Sequence, residues 1–193
     1  MNEKGNMYKI VILGDSEVGK TCFITRYYEW FFENSNLIII GFDYKIKKLQ
    51  LGDDKEIMFE LWDTIGQDRF HANAKNLIKK SQGFIIIYDI TRRKTFNEVR
   101  KFIETVKDET SKDALIIIVG AKLDLEDKRE VSKEEGIKFA KEFNYPFFEF
   151  SAKDNININE IVEELAKKIV ENFGITGQKL ESTKIKSKNK KCL

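Results

Sequence analysis

Short apolar runs alternate with amphipathic stretches along most of this chain. Three short, mainly apolar runs are typical of strands buried on both faces, and they cover residues 83–88, 115–119 and 145–150. Apolar residues recur at helical spacing in three neighbouring segments, over about 96–107, 132–143 and 157–173. Because strands and helices alternate, we predict an α/β fold in which helices cover both faces of a mainly parallel sheet.

The first third of the chain adds three more strands and one helix. Residues 10–13 form a short apolar run, and residues 20–31 show the apolar spacing of a helix. Residues 42–51 alternate between apolar and polar side chains, a turn follows at 52–55, and residues 56–62 return as the hairpin partner. The sequence therefore predicts a six-stranded sheet with one antiparallel strand at its edge.

The loop at residues 14–21 carries the first chemical signal. It reads Gly-Asp-Ser-Glu-Val-Gly-Lys-Thr and lies between the first strand and the first helix, as a phosphate-binding loop does. Gly14 and Gly19 allow turns that point backbone N–H groups at phosphate oxygens, and the helix adds its positive dipole end. Lys20 would contact the outer phosphates, and the Thr21 hydroxyl would bind Mg²⁺. The alternative is an ordinary glycine-bearing turn with an exposed lysine.

A second motif follows the predicted strand 56–62. Asp63 comes about forty residues after the loop lysine, where phosphate-binding enzymes place the carboxylate that holds Mg²⁺. Gly66 would let a backbone N–H approach the terminal phosphate, and the Gln67 amide would orient the attacking water. Taken alone, this segment is equally well explained as a simple turn.

Polar residues also follow the last two apolar runs. Lys122 and Asp124 come after one run, and Ser151, Ala152 and Lys153 come after the other. A carboxylate at Asp124 accepts hydrogen bonds from the N1–H and the exocyclic amine of guanine, whereas adenine presents an acceptor there, a mismatch that commonly costs over about a thousandfold. Lys122 would lie along the base and the Ala152 N–H would bind the guanine oxygen. Taken singly, both lysines are more typical of solvated surface positions.

With these motifs in this order, the chain resembles a small GTPase of the Ras superfamily, and most closely the Rab family, over about residues 7–173. The resemblance implies a P-loop NTPase fold of the small G-domain type. It also implies GTP or GDP with Mg²⁺ as ligands, and effector, exchange and activating proteins as partners. The matching segments are residues 14–22, 40–44, 62–70, 88–91 and 151–153.

The resemblance assigns a role to each matching residue. Gln67 is the implied catalytic residue, and Thr21 and Asp63 are the implied Mg²⁺ ligands. Phe32 falls where the family stacks an aromatic ring on the guanine. The implied nucleotide-binding residues are Gly14, Asp15, Ser16, Glu17, Val18, Gly19, Lys20, Thr21, Cys22, Phe32, Gly66, Lys122, Asp124, Ser151, Ala152 and Lys153.

Three positions depart from the family pattern. Ile39 replaces the threonine that senses the terminal phosphate, so we expect weaker coupling between nucleotide state and loop order. Ile65 replaces an alanine close to that phosphate, and Ala121 replaces the asparagine that bridges the base to the phosphate loop. An acid at Glu17 should also weaken phosphate binding. These changes leave open two hypotheses, a slow GTPase switch of vesicle traffic and a pseudo-GTPase that serves as an interaction module.

Composition excludes several other classes of protein. A chain of 193 residues suits one domain, expected at 1–173, and a net charge of +2 gives no basic field for nucleic acid. With one histidine and two cysteines, the chain lacks a His/Cys metal cluster and fits a reducing compartment. The polar N-terminus and the lack of a long apolar run predict a cytoplasmic protein, which the resemblance would place on the cytosolic face of endomembranes.

An ATP-dependent kinase is disfavoured because the carboxylate of Asp124 matches guanine rather than adenine.

The last segment, residues 174–193, holds six lysines and a single acidic residue. We expect it to be a flexible, lysine-rich tail that meets a membrane surface. Cys192 follows two lysines and suggests a prenyl anchor, since a lipid and a polybasic patch together give stable attachment. Cys192 is not four residues from the end as a prenyl box requires, so the alternative is a solvated charge run with an incidental thiol.

Overall fold

A computed structural model describes residues 7–29, 44–50, 56–64, 72–110 and 114–174. Its strands and helices alternate along the chain. The strands are β1 Met7–Gly14, β2 Tyr44–Gln50, β3 Glu56–Asp63, β4 Gly83–Asp89, β5 Leu115–Ala121 and β6 Phe147–Phe150. The helices are α1 Lys20–Glu29, α2 Ala72–Lys79, α3 Arg93–Glu109, α4 Lys133–Glu142 and α5 Ile158–Phe173, with a 3-10 helix at Leu123–Lys128.

The strands of the described segments form one six-stranded sheet in the order β2-β3-β1-β4-β5-β6. β2 is antiparallel to β3, with Tyr44 opposite Trp62, and every other neighbouring pair is parallel. The predicted mainly parallel sheet with one antiparallel edge strand is therefore confirmed. Because β1, β3, β5 and β6 are parallel, the polar segments that follow them leave the same edge of the sheet.

Alternation along β1 divides the core into two layers. Tyr8, Ile10 and Ile12 face one side, where they belong to a buried cluster with residues of α1 and α5. Val11 and Leu13 face the other side and join a cluster with residues of α2, α3 and α4. All five are at most 2% exposed, and burying such a side chain contributes about 1.5–3 kcal/mol. Helices thus cover both faces of the sheet, as predicted.

None of the helices in the described segments is long and apolar enough to cross a lipid bilayer. The α-helices instead contribute buried apolar residues to the two core clusters. In α3, for example, Val99, Phe102, Ile103 and Val106 are buried at the three- and four-residue spacing that puts side chains on one helix face.

The last strand and helix α2 differ from the sequence prediction. The run at 145–150 forms a strand only from Phe147, because Pro146 has no N–H for a strand ladder. Its carbonyl still accepts a hydrogen bond from the Ile118 N–H at 3.0 Å. In addition, α2 was not predicted, although Ala74 and Ile78 are both buried and lie four residues apart.

A lysine held against an aromatic pair gives the fold a testable pH dependence. The Lys47 Nζ lies 3.8 Å from the centre of the Tyr27 ring, and burial lowers the pKa of Lys47 from 10.5 to about 8, with Glu163 acting in the opposite direction. Between these pH values the unfolded chain keeps the proton that the folded chain releases. Stability should therefore rise with pH from about 8 toward 10.5.

We expect urea unfolding between about pH 8 and pH 9.5 to show this rise, and expect Lys47→Met to reduce it. The pH range ends at about 9.5 because burial also raises the pKa of Tyr27 in the folded protein. Ionisation of Tyr27 in the unfolded chain therefore lowers stability above about pH 10. Lys45→Met, on the same face of β2, is the control and should keep the slope. Equal slopes for Lys47→Met and the unchanged protein would refute the assignment.

Candidate functional site

The loop after β1, the end of β3 and the start of α1 line a cleft of about 510 Å³. This volume is within the usual range for small-molecule sites, about 300–1,000 Å³. A second cleft of about 360 Å³ adjoins it, and Thr21 and Cys22 contribute to both walls. The first cleft is lined by Ser16, Glu17, Gly19, Lys20, Thr21, Cys22, Asp63, Thr64 and Lys122.

The loop between β1 and α1 needs its first glycine. Gly14 has φ +150°, and a Cβ there would lie 2.3 Å from the carbonyl oxygen of Ile87. No side chain fits at such a distance. Val18 fixes the loop to the core with a fully buried side chain. Glu17 has a left-handed conformation with φ +61°, and its side chain is 86% exposed.

Lys20 lies in the wall of the cleft with only 6% of its surface exposed. Its Nζ donates to the carbonyl oxygens of Asp15 at 2.7 Å and Gly14 at 3.2 Å. Burial lowers the pKa of Lys20, although the charges of Asp63 and Asp15 oppose that shift. An anion in the cleft would favour the charged ammonium further, so this arrangement suits a phosphate-bearing ligand.

The two residues expected to bind Mg²⁺ lie in direct contact. The Thr21 hydroxyl donates to the Asp63 carboxylate at 2.5 Å, although the two residues are 42 positions apart in sequence. A hydroxyl and a carboxylate are the hard oxygen ligands that Mg²⁺ prefers, and it takes the rest of its coordination from phosphates and water. The donor set therefore fits the ion. Elsewhere in the described segments, no group of three or more His, Cys, Asp or Glu residues is placed to hold a metal.

Asp124 and Ser151 come together from the ends of β5 and β6. The Ser151 hydroxyl donates to the Asp124 carboxylate at 2.8 Å and accepts from the Asp154 N–H at 3.0 Å. Ser151 is fully buried, so its hydroxyl fixes the orientation of the carboxylate. Asp124 is thus held as an oriented acceptor beside the loop at 151–153.

The loop at 151–153 is attached to α1 by Arg26. The Arg26 Nε donates to the carbonyl of Ala152 at 2.6 Å, and its Nη2 donates to that of Lys153 at 3.4 Å. These three residues line the second cleft together with Thr21, Cys22 and Thr25. The segment 151–153 and the loop at 14–19 are therefore both connected to α1.

Lys122 follows β5 and has a left-handed conformation, with φ 70° and ψ 40°. Its side chain lines the first cleft, and its Nζ lies 2.7 Å from the carboxylate of Asp89, a fully buried residue. The sequence prediction placed Lys122 along the base. The structure adds a buried counter-ion that holds its ammonium.

Comparison with known proteins assigns the family. The Ras family model matches residues 9–171. Ras-related protein Rab-8A of Bos taurus is 39% identical over 163 residues, covering 84% of this chain and 78% of the relative. Ras-related protein Rab-13 of Canis lupus familiaris is 38% identical over 165 residues, covering 86% and 81%.

The chain belongs to the Ras family. Ras-related protein Rab-8B of Bos taurus is a further relative, 38% identical over 164 residues that cover 85% of this chain and 79% of its own. These relatives confirm that the chain is a Rab-like small GTPase of the Ras superfamily, as its motifs indicated. The six-stranded sheet agrees with the small G-domain fold of that family.

Several predicted residues of this Ras-family protein lie outside the described segments. They include the implied catalytic residue, the aromatic ring expected on the base and the lipid-anchor candidate. Two of the three departures from the family pattern also fall there. These residues are Phe32, Ile39, Ile65, Gly66, Gln67 and Cys192.

The sequence prediction missed three polar residues of the site in this Ras-family protein. Arg26 supports the loop at 151–153, Asp89 binds Lys122, and Arg92 contacts the phosphate loop. Asp89 lay in the family-matching segment 88–91 but received no role, and the sequence signal for Arg92 was its place after the apolar run 83–88, at the same sheet edge as the other motifs. Arg26 carried a weaker signal, its position one helical turn after Cys22.

Proposed function

We propose that this protein binds GTP and GDP with Mg²⁺ and hydrolyses GTP slowly, acting as a Rab-like switch of vesicle traffic on the cytosolic face of endomembranes. Its partners would be effector, exchange and activating proteins. One observation carries the proposal: Lys20, the Thr21–Asp63 pair and the Asp124–Ser151 pair leave the same edge of one sheet. They form a phosphate end and a base end of a single site.

The phosphate end has the charge and geometry that a diphosphate needs. Lys20 supplies a buried cation, and the N-terminus of α1, which begins at Lys20, supplies unpaired N–H groups and a partial positive charge. Because the cleft is partly shielded from water, these charges act on phosphate more strongly than they would at an open surface. When bound, Mg²⁺ neutralises phosphate charge, and Thr21 and Asp63 are the residues that would hold it.

The base end is suited to guanine. Asp124 presents a carboxylate whose position the Ser151 hydroxyl fixes at 2.8 Å. Guanine directs two donors toward such a group, whereas adenine would leave the carboxylate unpaired. Ala152 and Lys153 close the adjoining cleft, and Arg26 holds their backbone in place.

Hydrolysis needs a group that orients water toward the terminal phosphate, and Gln67 is the residue that the family pattern implies. A single-turnover assay of the full chain with GTP and Mg²⁺ tests this role. We expect Gln67→Leu to bind GTP but to hydrolyse it at least about tenfold more slowly, since leucine cannot orient water. Gln50→Leu is the matched control, because Gln50 lies at the opposite end of β2 from the site.

The same assay separates the switch from the interaction module. A protein that retains bound GTP without turnover would overturn hydrolysis and support a pseudo-GTPase. The identity of residue 121 favours the pseudo-GTPase, because Ala121 replaces the family asparagine and lies against the phosphate loop. Turnover that is equal in Gln67→Leu and the unchanged protein would instead refute the role of Gln67.

We further propose residues 1–173 as the GTPase domain and residues 174–193 as a lysine-rich segment that meets the membrane. The support is the charge pattern, six lysines with one acid in the last twenty residues. Each lysine near an anionic bilayer adds about 1 kcal/mol. A lipid on Cys192 would add the second signal that stable attachment requires.

A further inference from the structure

In this protein the side chain at position 121 makes no polar link between the base-binding segment, defined here as residues 121–124, and the phosphate loop at 14–21. Ala121 lies at the end of β5, and its Cβ is 3.9 Å from the position that a Cβ on Gly19 would take. A side chain at 121 therefore points at the phosphate loop. An asparagine there would hydrogen bond across this gap, but the methyl group of alanine provides no polar atom.

A buried carboxylate nearby makes contacts toward both sides of the gap. Asp89 is 0% exposed at the end of β4, and its Oδ1 accepts from the N–H and the hydroxyl of Thr91 at 2.9 and 2.7 Å. Its Oδ2 lies 2.7 Å from the Lys122 Nζ and 2.9 Å from the Arg92 Nε. Burial raises the pKa of Asp89, but hydrogen bonds from Lys122 and Thr91 outweigh it and hold the pKa below its ordinary value.

Arg92 extends this contact to the phosphate loop. While its Nε binds Asp89, its Nη2 donates to the carbonyl of Ser16 at 2.9 Å. The Nη1 lies 3.7 Å from the carboxylate of Glu17, which is 86% exposed. An exposed pair at that distance contributes little, so the hydrogen bonds to Ser16 and Asp89 are the ones that matter.

We propose that Arg92 is a positioning residue that ties the phosphate loop to the base-binding segment through Asp89 and Lys122, and so slows nucleotide release. The path Ser16–Arg92–Asp89–Lys122 spans the gap that Ala121 leaves open. This inference rests on the proposed nucleotide-binding function. It assigns to Arg92 the linking role that the asparagine has elsewhere in the family.

The chemistry of the link requires arginine. Two different nitrogens of one planar guanidinium reach a carboxylate and a carbonyl at the same time. A lysine ammonium keeps the charge but lacks the rigid fork. Arg92 also precedes α3 without making a side-chain cap hydrogen bond, so helix capping does not explain its contacts.

Release of a fluorescent GDP analogue from the full chain, measured with excess unlabelled GDP, tests the link. We expect Arg92→Gln to release nucleotide about tenfold faster, which corresponds to the loss of one charge-assisted hydrogen bond. The release rate of Arg92→Lys should lie between those of Arg92→Gln and the unchanged protein. Arg100→Gln, which removes an ion pair with Glu142 on the outer face of α3, is the matched control and should stay within about twofold of the unchanged protein.

A second substitution distinguishes linkage from general stability. If an asparagine at position 121 can serve as an alternative link to Arg92, Ala121→Asn should slow release by a larger factor in the Arg92→Gln protein than in the unchanged one. A merely structural role for Arg92 predicts the same factor in both. Asp89 retains Lys122 and Thr91 as partners in Arg92→Gln, so this variant is expected to fold, as thermal unfolding will verify.

The outcomes separate the two proposals. If the unchanged protein binds no guanine nucleotide, the proposed function and this inference both fail. If it binds nucleotide but Arg92→Gln releases it at the unchanged rate, only the inference fails. If Ala121→Asn slows nucleotide release by the same factor in the Arg92→Gln and unchanged proteins, the link through Arg92 is likewise overturned. The proposed nucleotide-binding function would not be affected by that result.

Discussion

Replacing Lys20 with alanine should reduce affinity for GTP and GDP by at least about a hundredfold. The change removes a cation that is 6% exposed and lines the phosphate end of the cleft. Charge-assisted hydrogen bonds in such sites contribute about 1.5–3 kcal/mol each, and 2.7 kcal/mol is roughly a hundredfold in affinity. Equilibrium titration with a fluorescent GDP analogue at constant salt measures the effect.

The loss should exceed one hydrogen bond because Lys20 also organises its own loop. Its Nζ binds the carbonyls of Asp15 and Gly14, which are consecutive residues at the start of the loop. Alanine leaves both carbonyls without this donor, so the backbone N–H groups that would bind phosphate lose their fixed orientation. Two contributions, direct charge and preorganisation, therefore act in the same direction.

Lys94→Ala is the matched control for Lys20→Ala. Lys94 is an exposed lysine near the start of α3, so its removal changes net charge equally without touching the cleft. Its affinity should stay within about twofold of the unchanged protein, because exposed charges are screened by salt. If Lys20→Ala and Lys94→Ala bind GDP equally well, the cleft does not bind the phosphates.

The fold was predictable because parallel strands have a strong sequence signature. The runs at 83–88 and 115–119 are apolar at every position, and their central strands β4 and β5 are indeed buried on both faces. Since ligand-binding residues collect at the carboxyl ends of parallel strands, motif order alone placed Asp63 and Asp124 at one sheet edge. The Thr21–Asp63 contact follows from that rule, although its distance does not.

What the sequence did not reveal is how the motif residues are held. The contact of Arg26 with Ala152 spans 126 positions of the chain, and that of Arg92 with Ser16 spans 76. Asp89 makes its contact with Lys122 through a buried ion pair. A polar residue in a helix or loop gives no periodic signal for such partners, because a single long-range hydrogen bond leaves local propensity unchanged. The supporting contacts therefore required coordinates, whereas the motif residues themselves could be selected from the sequence.

Replacing Asp124 with alanine should abolish most of the preference for GTP over ATP. The proposed site distinguishes the bases by one carboxylate, and a site built to pair with ligand donors rejects an unmatched analogue by about a thousandfold or more. Without that acceptor, guanine loses two hydrogen bonds. Adenine binding no longer leaves a carboxylate unpaired, so adenine is no longer rejected. Competition of GTP and ATP against a fluorescent GDP analogue should show the ratio falling to within about tenfold of unity.

Asp124→Asn separates lost chemistry from damaged structure. Asparagine has nearly the same shape and can still accept a hydrogen bond from Ser151, the partner that orients Asp124 at 2.8 Å. Its amide offers one acceptor where guanine presents two donors, so selectivity should still fall. Asp127→Ala, on an exposed residue of the same 3-10 helix, should retain full selectivity. A protein that prefers GTP equally strongly with alanine at 124 would show that another residue reads the base.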